Sequence, residues 1–160
     1  MAQRKEEKYM RLAVVEARKN LKRMDGGPFG ACVVKGNRIM AVARNTVLSN
    51  NDATNHAEIN AIRQASKILN NYSLAGCIIY STTEPCPMCF SAIHWAKLDA
   101  VYFGTVINDV KKLGFNELKI SCKKMKSTGR SKVKVIPGFL AEECHKLLED
   151  WGKLENKIVY

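Results

Sequence analysis

Two short stretches decide the fold and the chemistry: Thr54-Asn55-His56-Ala57-Glu58 and, about thirty positions later, Glu84-Pro85-Cys86-Pro87-Met88-Cys89. A histidine nitrogen and two cysteine sulfurs are ligands that zinc prefers in proteins. Three protein ligands leave the fourth tetrahedral position to water, whose pKa zinc lowers to about 7, which makes hydroxide available at neutral pH. We therefore predict one Zn²⁺ per chain, bound by His56, Cys86 and Cys89.

The spacing of these residues predicts how they meet. Cys86 and Cys89 are three positions apart, so on a helix their sulfurs lie on the same side, one turn apart. His56 and Glu58 are two apart and diverge around a helix, so they share a site only beyond the helix N-terminus. We expect two helix N-termini to point at one ion, where the helix dipole favours thiolate. Glu58, close but not ligating, would carry a proton from water to the leaving amine.

A closed structural zinc site is the alternative interpretation. It needs a fourth ligand, for which Cys32, Cys77 and His94 are candidates, and it leaves Glu58 without a role. The chain has six cysteines and no recognisable export signal. In that setting metal binding or buried thiols are favoured over disulfides.

Hydrophobic periodicity and turn residues predict an alternation of helices and strands. In chain order we predict a helix over 6–24, a hairpin of strands over 30–35 and 38–44, a polar loop over 45–55, a helix over 56–69, a central strand over 77–83, a helix over 85–97, a strand over 100–104, an edge strand over 133–136 and a helix over 140–153. Residues 107–131 remain ambiguous. This order implies parallel neighbouring strands joined by right-handed crossovers, with helices on both faces of a mixed sheet.

Length and composition indicate one globular domain spanning residues 1–160, with 46% hydrophobic residues. No stretch approaches the roughly 18 apolar residues that a membrane helix needs. The first residues lead into an amphipathic pattern and not into the apolar core of a signal peptide. We therefore expect a cytoplasmic protein with no membrane partner.

The net charge is +11, from 26 Lys and Arg against 15 Asp and Glu. Lysines concentrate between Lys111 and Lys134, and such a surface can bind the phosphates of nucleic acid. However, the tract contains no aromatic residue beyond Phe115 on which a base would stack. A solvated lysine-rich face is the favoured interpretation, and nucleic-acid binding stays open.

The joint motif of His-x-Glu with Pro-Cys-x-x-Cys is the signature of zinc nucleobase deaminases. From about Gly27 to Gly104, and more faintly through the C-terminal helix, the chain resembles the cytidine deaminase superfamily. Within it the pattern is most similar to the small bacterial-type guanine deaminases. They share the segment Gly26-Gly27-Pro28-Phe29-Gly30-Ala31 and the segment Ala92-Ile93-His94-Trp95-Ala96. The tRNA adenosine deaminases share the zinc motifs but typically have Val-Pro-Val-Gly-Ala at the first segment and no tryptophan in the second.

The resemblance implies an α/β fold of the three-layer α/β/α cytidine-deaminase-like type, with a mixed five-stranded sheet. It also implies a homodimer and a hydrolytic deaminase that acts on a nucleobase, with Glu58 as the proton shuttle. Guanine converted to xanthine plus ammonia is the specific prediction. The alternatives are a tRNA-specific adenosine deaminase that converts A to I, or a deaminase of cytosine or another free base or nucleoside.

The resemblance also implies a substrate pocket. Phe29 and Trp95 would stack on the base, Asn45 would hydrogen-bond the ring, and the backbone N–H of Ala57 would contact a ring carbonyl. Tyr160 would close the site from the C-terminal segment, which is often exchanged between subunits in the guanine-specific members. Each has a simpler alternative, in which the two rings are core aromatics, Asn45 is a turn residue and Tyr160 belongs to a frayed terminus.

Two segments depart from the family pattern. Glu117, in Gly114-Phe115-Asn116-Glu117, takes the place of a second catalytic acid where the relatives usually read Phe-Asp-Asp. Asn55, before His56, stands where the relatives have alanine, and it would add a polar group at the pocket mouth. Both departures bear on the choice of substrate and leave the zinc prediction unchanged.

Overall fold

The computed structural model describes residues 2–160, with side chains from residue 6 onward. Thirteen helices and strands follow one another in these residues. In chain order they are α1 (Ala2–Arg18), α2 (Asn20–Arg23), β1 (Gly30–Lys35), β2 (Arg38–Arg44), α3 (Val47–Asn50), α4 (Ala57–Leu69), β3 (Cys77–Thr83), α5 (Pro87–Trp95), β4 (Ala100–Thr105), α6 (Ile107–Lys111), α7 (Cys122–Gly129), β5 (Lys134–Ile136) and α8 (Ala141–Gly152).

The five strands form one mixed sheet in the order β2-β1-β3-β4-β5. β1 pairs antiparallel with β2 and with β3, whereas β3 with β4 and β4 with β5 are parallel. Helix α5 connects the first parallel pair, and helices α6 and α7 connect the second. The predicted central position of β3 and the predicted edge position of β5 are both confirmed, as is the mixed α/β fold.

Helices cover both faces of the sheet, and the pleat of β1 divides its side chains between them. Ala31 and Val33 point into the core beneath α4 and α5. Cys32 and Val34 point into the core beneath α1, which Cys144 of α8 also joins. The result is the predicted three-layer α/β/α arrangement.

Two helices begin later than the sequence pattern predicts. α4 begins at Ala57 and α5 at Pro87, because His56 and Cys86 have extended backbones, with ψ of 156° and 168°. Each is therefore the N-cap residue, whose side chain lies at the helix end. Helix α5 also ends two residues early, at Trp95.

The ambiguous span 107–131 contains the short helices α6 and α7, separated by a loop. The Ser121 hydroxyl caps α7 by accepting a hydrogen bond from the Lys124 N–H. None of the described helices has the length and apolar character needed to cross a bilayer.

Candidate metal centre and substrate pocket

The site forms where strand β3 ends and where the N-termini of α4 and α5 meet. His56 and Cys86 are the N-caps of these two helices, and Cys89 lies in the first turn of α5. Because both helices direct their free N–H groups and positive dipole ends at the same place, the site favours anionic ligands such as thiolates. This is the convergence that the spacing predicts.

The three side chains form a cluster that could hold one metal ion. His56 Nδ1 lies 3.6 Å from Cys86 Sγ and 3.5 Å from Cys89 Sγ. All the ligand atoms lie within 4.8 Å of one another. A tetrahedral zinc with ordinary Zn–S and Zn–N bonds places its ligand atoms about 3.5–3.8 Å apart. The donor set therefore suits zinc in both chemistry and spacing.

The candidates for a fourth protein ligand lie elsewhere. Cys32 is buried in the core beneath α1, and Cys77 begins β3 at the opposite end of that strand. His94 Nδ1 lies 2.9 Å from Ser131 Oγ, beyond the C-terminal half of α5. In residues 6–160 the cluster has only His56, Cys86 and Cys89. This geometry favours an open, catalytic coordination sphere over a closed structural one.

Glu58 is buried in the first turn of α4 beside the cluster. Its Oε1 accepts a hydrogen bond of 2.9 Å from the Ser81 hydroxyl, and its Oε2 lies 3.5 Å from Cys89 Sγ. Burial raises the pKa of the Glu58 carboxyl above its ordinary value. A carboxyl that is held in place and whose pKa is raised by burial is suited to accept and return a proton.

The two thiols differ in how readily they lose a proton. The pKa of Cys86 falls to about 4, because Cys89 donates a hydrogen bond to its sulfur and the His56 ring lies beside it. One thiolate is therefore available at neutral pH, which is the form that binds a metal.

A small cavity adjoins the cluster, and six residues singled out from the sequence line it. Its volume is only about 10 Å³, and its lining comprises Phe29, Asn45, His56, Glu58, Thr83, Glu84, Cys86 and Glu117. Glu117 reaches it from the loop between α6 and α7, and burial raises its pKa to about 7. That space holds about one water molecule, so a purine base does not fit in this conformation.

Tyr160 contacts one residue of the cavity wall, Asn45. Its hydroxyl donates a 2.7 Å hydrogen bond to Asn45 Oδ1 and accepts one of 3.0 Å from the Gly27 N–H. Its ring packs edge-on against Phe115, and Phe115 packs edge-on against Phe29, with ring centroids 5.4 and 5.1 Å apart. The C-terminus therefore folds over the pocket of its own chain.

The same contacts fix the orientation of Asn45. Oδ1 also accepts the Val47 N–H at 3.0 Å, so two donors require an oxygen in that position. The amide nitrogen Nδ2 is then the group left to donate to a ligand. Asn45 is thus a local turn residue and a pocket residue at once, and the two interpretations do not exclude each other.

Two glycines let the chain pass close to these side chains. A Cβ at Gly26 would lie 2.0 Å from Asn45 Oδ1, and one at Gly27 would lie 2.4 Å from the Phe29 ring. The buried Asn20 side chain donates to the carbonyl oxygens of Gly27 and Asn45, both at 2.8 Å. The Gly26-to-Ala31 segment therefore places Phe29 and Asn45 on the pocket wall.

The remaining predicted residues lie as follows. The N–H of Ala57, at the start of α4, belongs to the first turn, where no intrahelical acceptor exists. Trp95 ends α5, is 78% exposed and does not line the cavity of this chain. Asn55 does not line it either, because its Oδ1 accepts a 2.6 Å hydrogen bond from Arg63 on the outer side of α4.

Sequence reasoning missed four residues. Ser81 holds Glu58, Thr83 lines the cavity, and Phe115 supports Phe29 and Tyr160. The Glu84 carboxylate is buried and accepts the Ile107 N–H at 3.2 Å and the Cys122 N–H at 2.9 Å. One sequence feature could have identified Ser81 and Thr83 as site residues, namely that they are polar residues at the end of the apolar strand β3.

Comparison with known proteins agrees with this geometry. The family described as cytidine and deoxycytidylate deaminase zinc-binding region matches residues 3–105, more than half of the chain. Guanine deaminase of Bacillus subtilis is 43% identical over 111 residues, covering 69% of this chain and 71% of the relative. A tRNA-specific adenosine deaminase of Buchnera aphidicola subsp. Schizaphis graminum is 35% identical over 127 residues, covering 79% and 80%. The structure of guanine deaminase from Nitrosomonas europaea superposes with a TM-score of 0.84 at 27% identity, covering 92% of this chain and 85% of that one.

Proposed function

The chain belongs to the cytidine and deoxycytidylate deaminase family of zinc-dependent hydrolases that act on a carbon–nitrogen bond, and from that premise we propose that its substrate is a free purine base. Guanine is the specific substrate, and the products are xanthine and ammonia. The reaction consumes one water molecule, whose oxygen replaces the amino nitrogen on the ring.

His56, Cys86 and Cys89 are the zinc ligands in this proposal. When bound, zinc lowers the pKa of a water molecule to about 7 and so provides a nucleophile at neutral pH. The chain's contribution is to present two sulfurs and one nitrogen at the spacing that zinc requires and to supply no fourth ligand.

Glu58 moves the protons. Ser81 holds one carboxylate oxygen, which leaves the other close to the cluster. Glu58 accepts one proton from water and delivers it to a ring nitrogen. It then accepts the second proton from the hydroxyl that has been added to the ring and passes it to the amino group, which departs as ammonia and leaves a ring carbonyl. Glu117, on the cavity wall with a pKa of about 7, is the second acid that assists departure of the amine.

The pocket residues orient the base. The Phe29 ring provides a stacking surface, Asn45 Nδ2 donates to a ring acceptor, and the Ala57 N–H donates to the ring carbonyl. Tyr160 closes the site and, through its bond to Oδ1, keeps the Asn45 amide in the donating orientation.

The observation that most directly supports a free base is the position of the C-terminus. Tyr160 is bonded to Gly27 and Asn45 beside a cavity that is smaller than any base, so we expect this segment to move when substrate enters and then to close over it. A free base is fully enclosed by such closure. A base attached to an RNA strand would keep the segment open, because the strand must leave the pocket.

Ammonia release from a panel of substrates tests this proposal. The zinc-loaded protein is assayed with guanine, adenine, cytosine, their nucleosides and a tRNA anticodon stem-loop. We expect turnover with guanine at a rate that does not change between low and high salt, because the base is neutral. Inert guanine together with deamination of the stem-loop would overturn the proposal and favour the tRNA-specific adenosine deaminase.

The predicted homodimer, with or without exchange of the C-terminal segments, stays part of this proposal. Light scattering checks it, with a mass twice that of the chain as the expected result. Mixing Glu58→Gln subunits with Tyr160→Ala subunits checks the exchange. If each site takes Tyr160 from the partner, the mixed dimer regains one complete site, and if not, it regains none.

A further inference from the structure

The basic tract has no role in the chemistry proposed above. Between residues 111 and 134 the chain has nine Lys and Arg and a single acid, Glu117, so this span carries most of the net charge of +11. The Glu117 side chain lines the pocket and therefore does not pair with the basic residues on the surface. Such a positive charge does not strengthen the binding of a neutral purine base.

Most of the cations in this tract form no salt bridge with any described side chain. On the side of α1 and α8, Arg11, Arg18, Arg44 and Lys146 all form salt bridges. Over the part of the chain with described side chains, none of the seven basic residues between 119 and 134 forms one. Unpaired cations gathered on one face favour binding of a polyanion.

Part of this face forms a groove of about 520 Å³ at the end of the sheet where β4 and β5 begin. Its lining contains four cationic side chains, Lys97, Arg130, Lys132 and Lys134. The acidic residue in the lining is Asp99, whose Oδ1 already accepts the Gly76 N–H at 3.0 Å. The groove is therefore strongly positive.

Two exposed aromatic rings flank the groove. The linear sequence does not show that these rings lie close to its cations. Tyr72 is 75% exposed, and its ring centroid lies 5.4 Å from Lys97 Nζ. Trp95 is 78% exposed and lines a second depression, which shares His94 with the groove. Cations beside free aromatic faces are the combination with which proteins bind single-stranded nucleic acid.

We propose that this groove and its flanking rings bind a single-stranded nucleic acid. The cations of Lys97, Arg130, Lys132 and Lys134 contact its phosphates, and bases stack on Tyr72 and Trp95. The strand is a binding partner and not the substrate, because the groove lies at the opposite end of α5 from Cys86. Nine helical residues separate the two places by about 13 Å along the axis.

Other roles for these cations do not explain their isolation. Lys97 and Arg130 follow the C-termini of α5 and α7, where a positive charge offsets the helix dipole. Lys134 lies on an edge strand, where lysine discourages aggregation. Both roles are served equally well by a cation that has a carboxylate partner, so they do not account for four cations that line the groove with a single acid, Asp99.

Fluorescence anisotropy with labelled twelve-nucleotide RNA and DNA strands of the same sequence, and with the corresponding duplex, tests the proposal. Lys132→Glu/Lys134→Glu is compared with Lys22→Glu/Lys67→Glu, which makes the same change in net charge at exposed positions on α2 and α4. We expect the groove variant to bind a single strand at least tenfold more weakly than the control variant. Its salt dependence should also be shallower by about 1.4 in the slope of log K against log salt, since each phosphate contact contributes about 0.7.

Further measurements test base stacking on the aromatic rings and the correct folding of the variants. Tyr72→Ala should weaken binding of the single strand severalfold without changing the salt slope, because it removes a ring and no charge. Zinc content and thermal unfolding should be the same in all variants. The RNA and DNA strands show which nucleic acid is preferred, and either preference supports the proposal. Equal losses in the two charge variants, no measurable binding, or tighter binding of the duplex would each overturn it.

Discussion

Two neighbouring regions of the molecule are built differently: the metal-ligand cluster of His56, Cys86 and Cys89, and the pocket lid of Phe115, Glu117 and Tyr160. The cluster takes its ligands from the N-termini of two helices, His56 from one and Cys86 and Cys89 from the other. The lid takes Phe115 and Glu117 from the loop between α6 and α7, and Tyr160 from the end of the chain. The first is fixed by rigid elements, and the second by a few side-chain contacts. We infer that the cluster determines the reaction and the lid determines which molecule undergoes it.

The largest expected effect is on the metal cluster. Cys86→Ala removes one of three zinc ligands, so we expect loss of bound zinc, loss of detectable deamination and a lower melting temperature, because metal binding is coupled to folding. Metal analysis and thermal unfolding measure this. Cys77→Ala, which removes a buried thiol outside the cluster, should keep its zinc. Full zinc occupancy in Cys86→Ala would show that the ligand set is wrong.

Glu58→Gln should impair the reaction without loss of bound zinc. The amide retains the shape of the side chain but cannot carry a proton, so we expect kcat to fall by about 10²–10⁴-fold with zinc and fold unchanged. Steady-state ammonia release and metal analysis on the same preparation test this. The exposed Glu142→Gln is the matched control. A Glu58→Gln variant with unchanged kcat would remove Glu58 from the mechanism.

The lid is expected to act on binding. Tyr160→Phe deletes the hydroxyl that contacts Asn45 and Gly27, so we expect KM for guanine to rise about two- to tenfold with little change in kcat. Zinc content should not change. Tyr72→Phe, on a ring far from the pocket, serves as the control. A fall in kcat with an unchanged KM would instead place the Tyr160 hydroxyl in the chemical step.

The smallest effect concerns the support of the pocket wall. Arg44 donates hydrogen bonds to Asp25, at 2.6 Å, and to Glu16, at 2.7 Å, and Asp25 directly precedes Gly26. The Arg44 guanidinium holds the pKa of the Asp25 carboxyl below its usual range. Stability from a depressed carboxyl pKa is present above the unfolded pKa, near 4, and is lost as the pH falls through the folded value.

We therefore expect Arg44→Met to melt a few degrees below the wild type at pH 7, a loss of about 1–2 kcal/mol. The difference should shrink as the pH falls below 4, where Asp25 is protonated in both proteins. Thermal unfolding between pH 3 and pH 8 measures it. A difference that grows toward low pH would contradict the ion-pair explanation.

The two regions also differ in how far the sequence predicted them. The cluster follows from spacings of two and three residues at the beginnings of α4 and α5. The lid depends on contacts between residues far apart in the chain, such as Phe115 with Tyr160 and Glu84 with Cys122, which no local pattern encodes. The helices α6 and α7 are also short, and for that reason residues 107–131 were ambiguous.

Trp95 and Asn55 lie outside the cavity of this chain. The resemblance predicts Trp95 in the pocket, and Asn55 is expected at the pocket mouth because it precedes His56. Trp95 is the exposed last residue of α5, and Asn55 bonds to Arg63. The direction of a side chain depends on where the helix begins and ends, and a sequence pattern leaves those boundaries uncertain by one or two residues.

The coordination of the zinc ion is the most direct test of the central claim. Zinc K-edge X-ray absorption on the purified protein reports the number and type of atoms bound to the metal. We predict two sulfurs at about 2.3 Å, one nitrogen at about 2.0–2.1 Å and one oxygen from solvent. A third sulfur, a second histidine, or a Cys86→Ala variant with an unchanged spectrum would contradict an open site built from His56, Cys86 and Cys89.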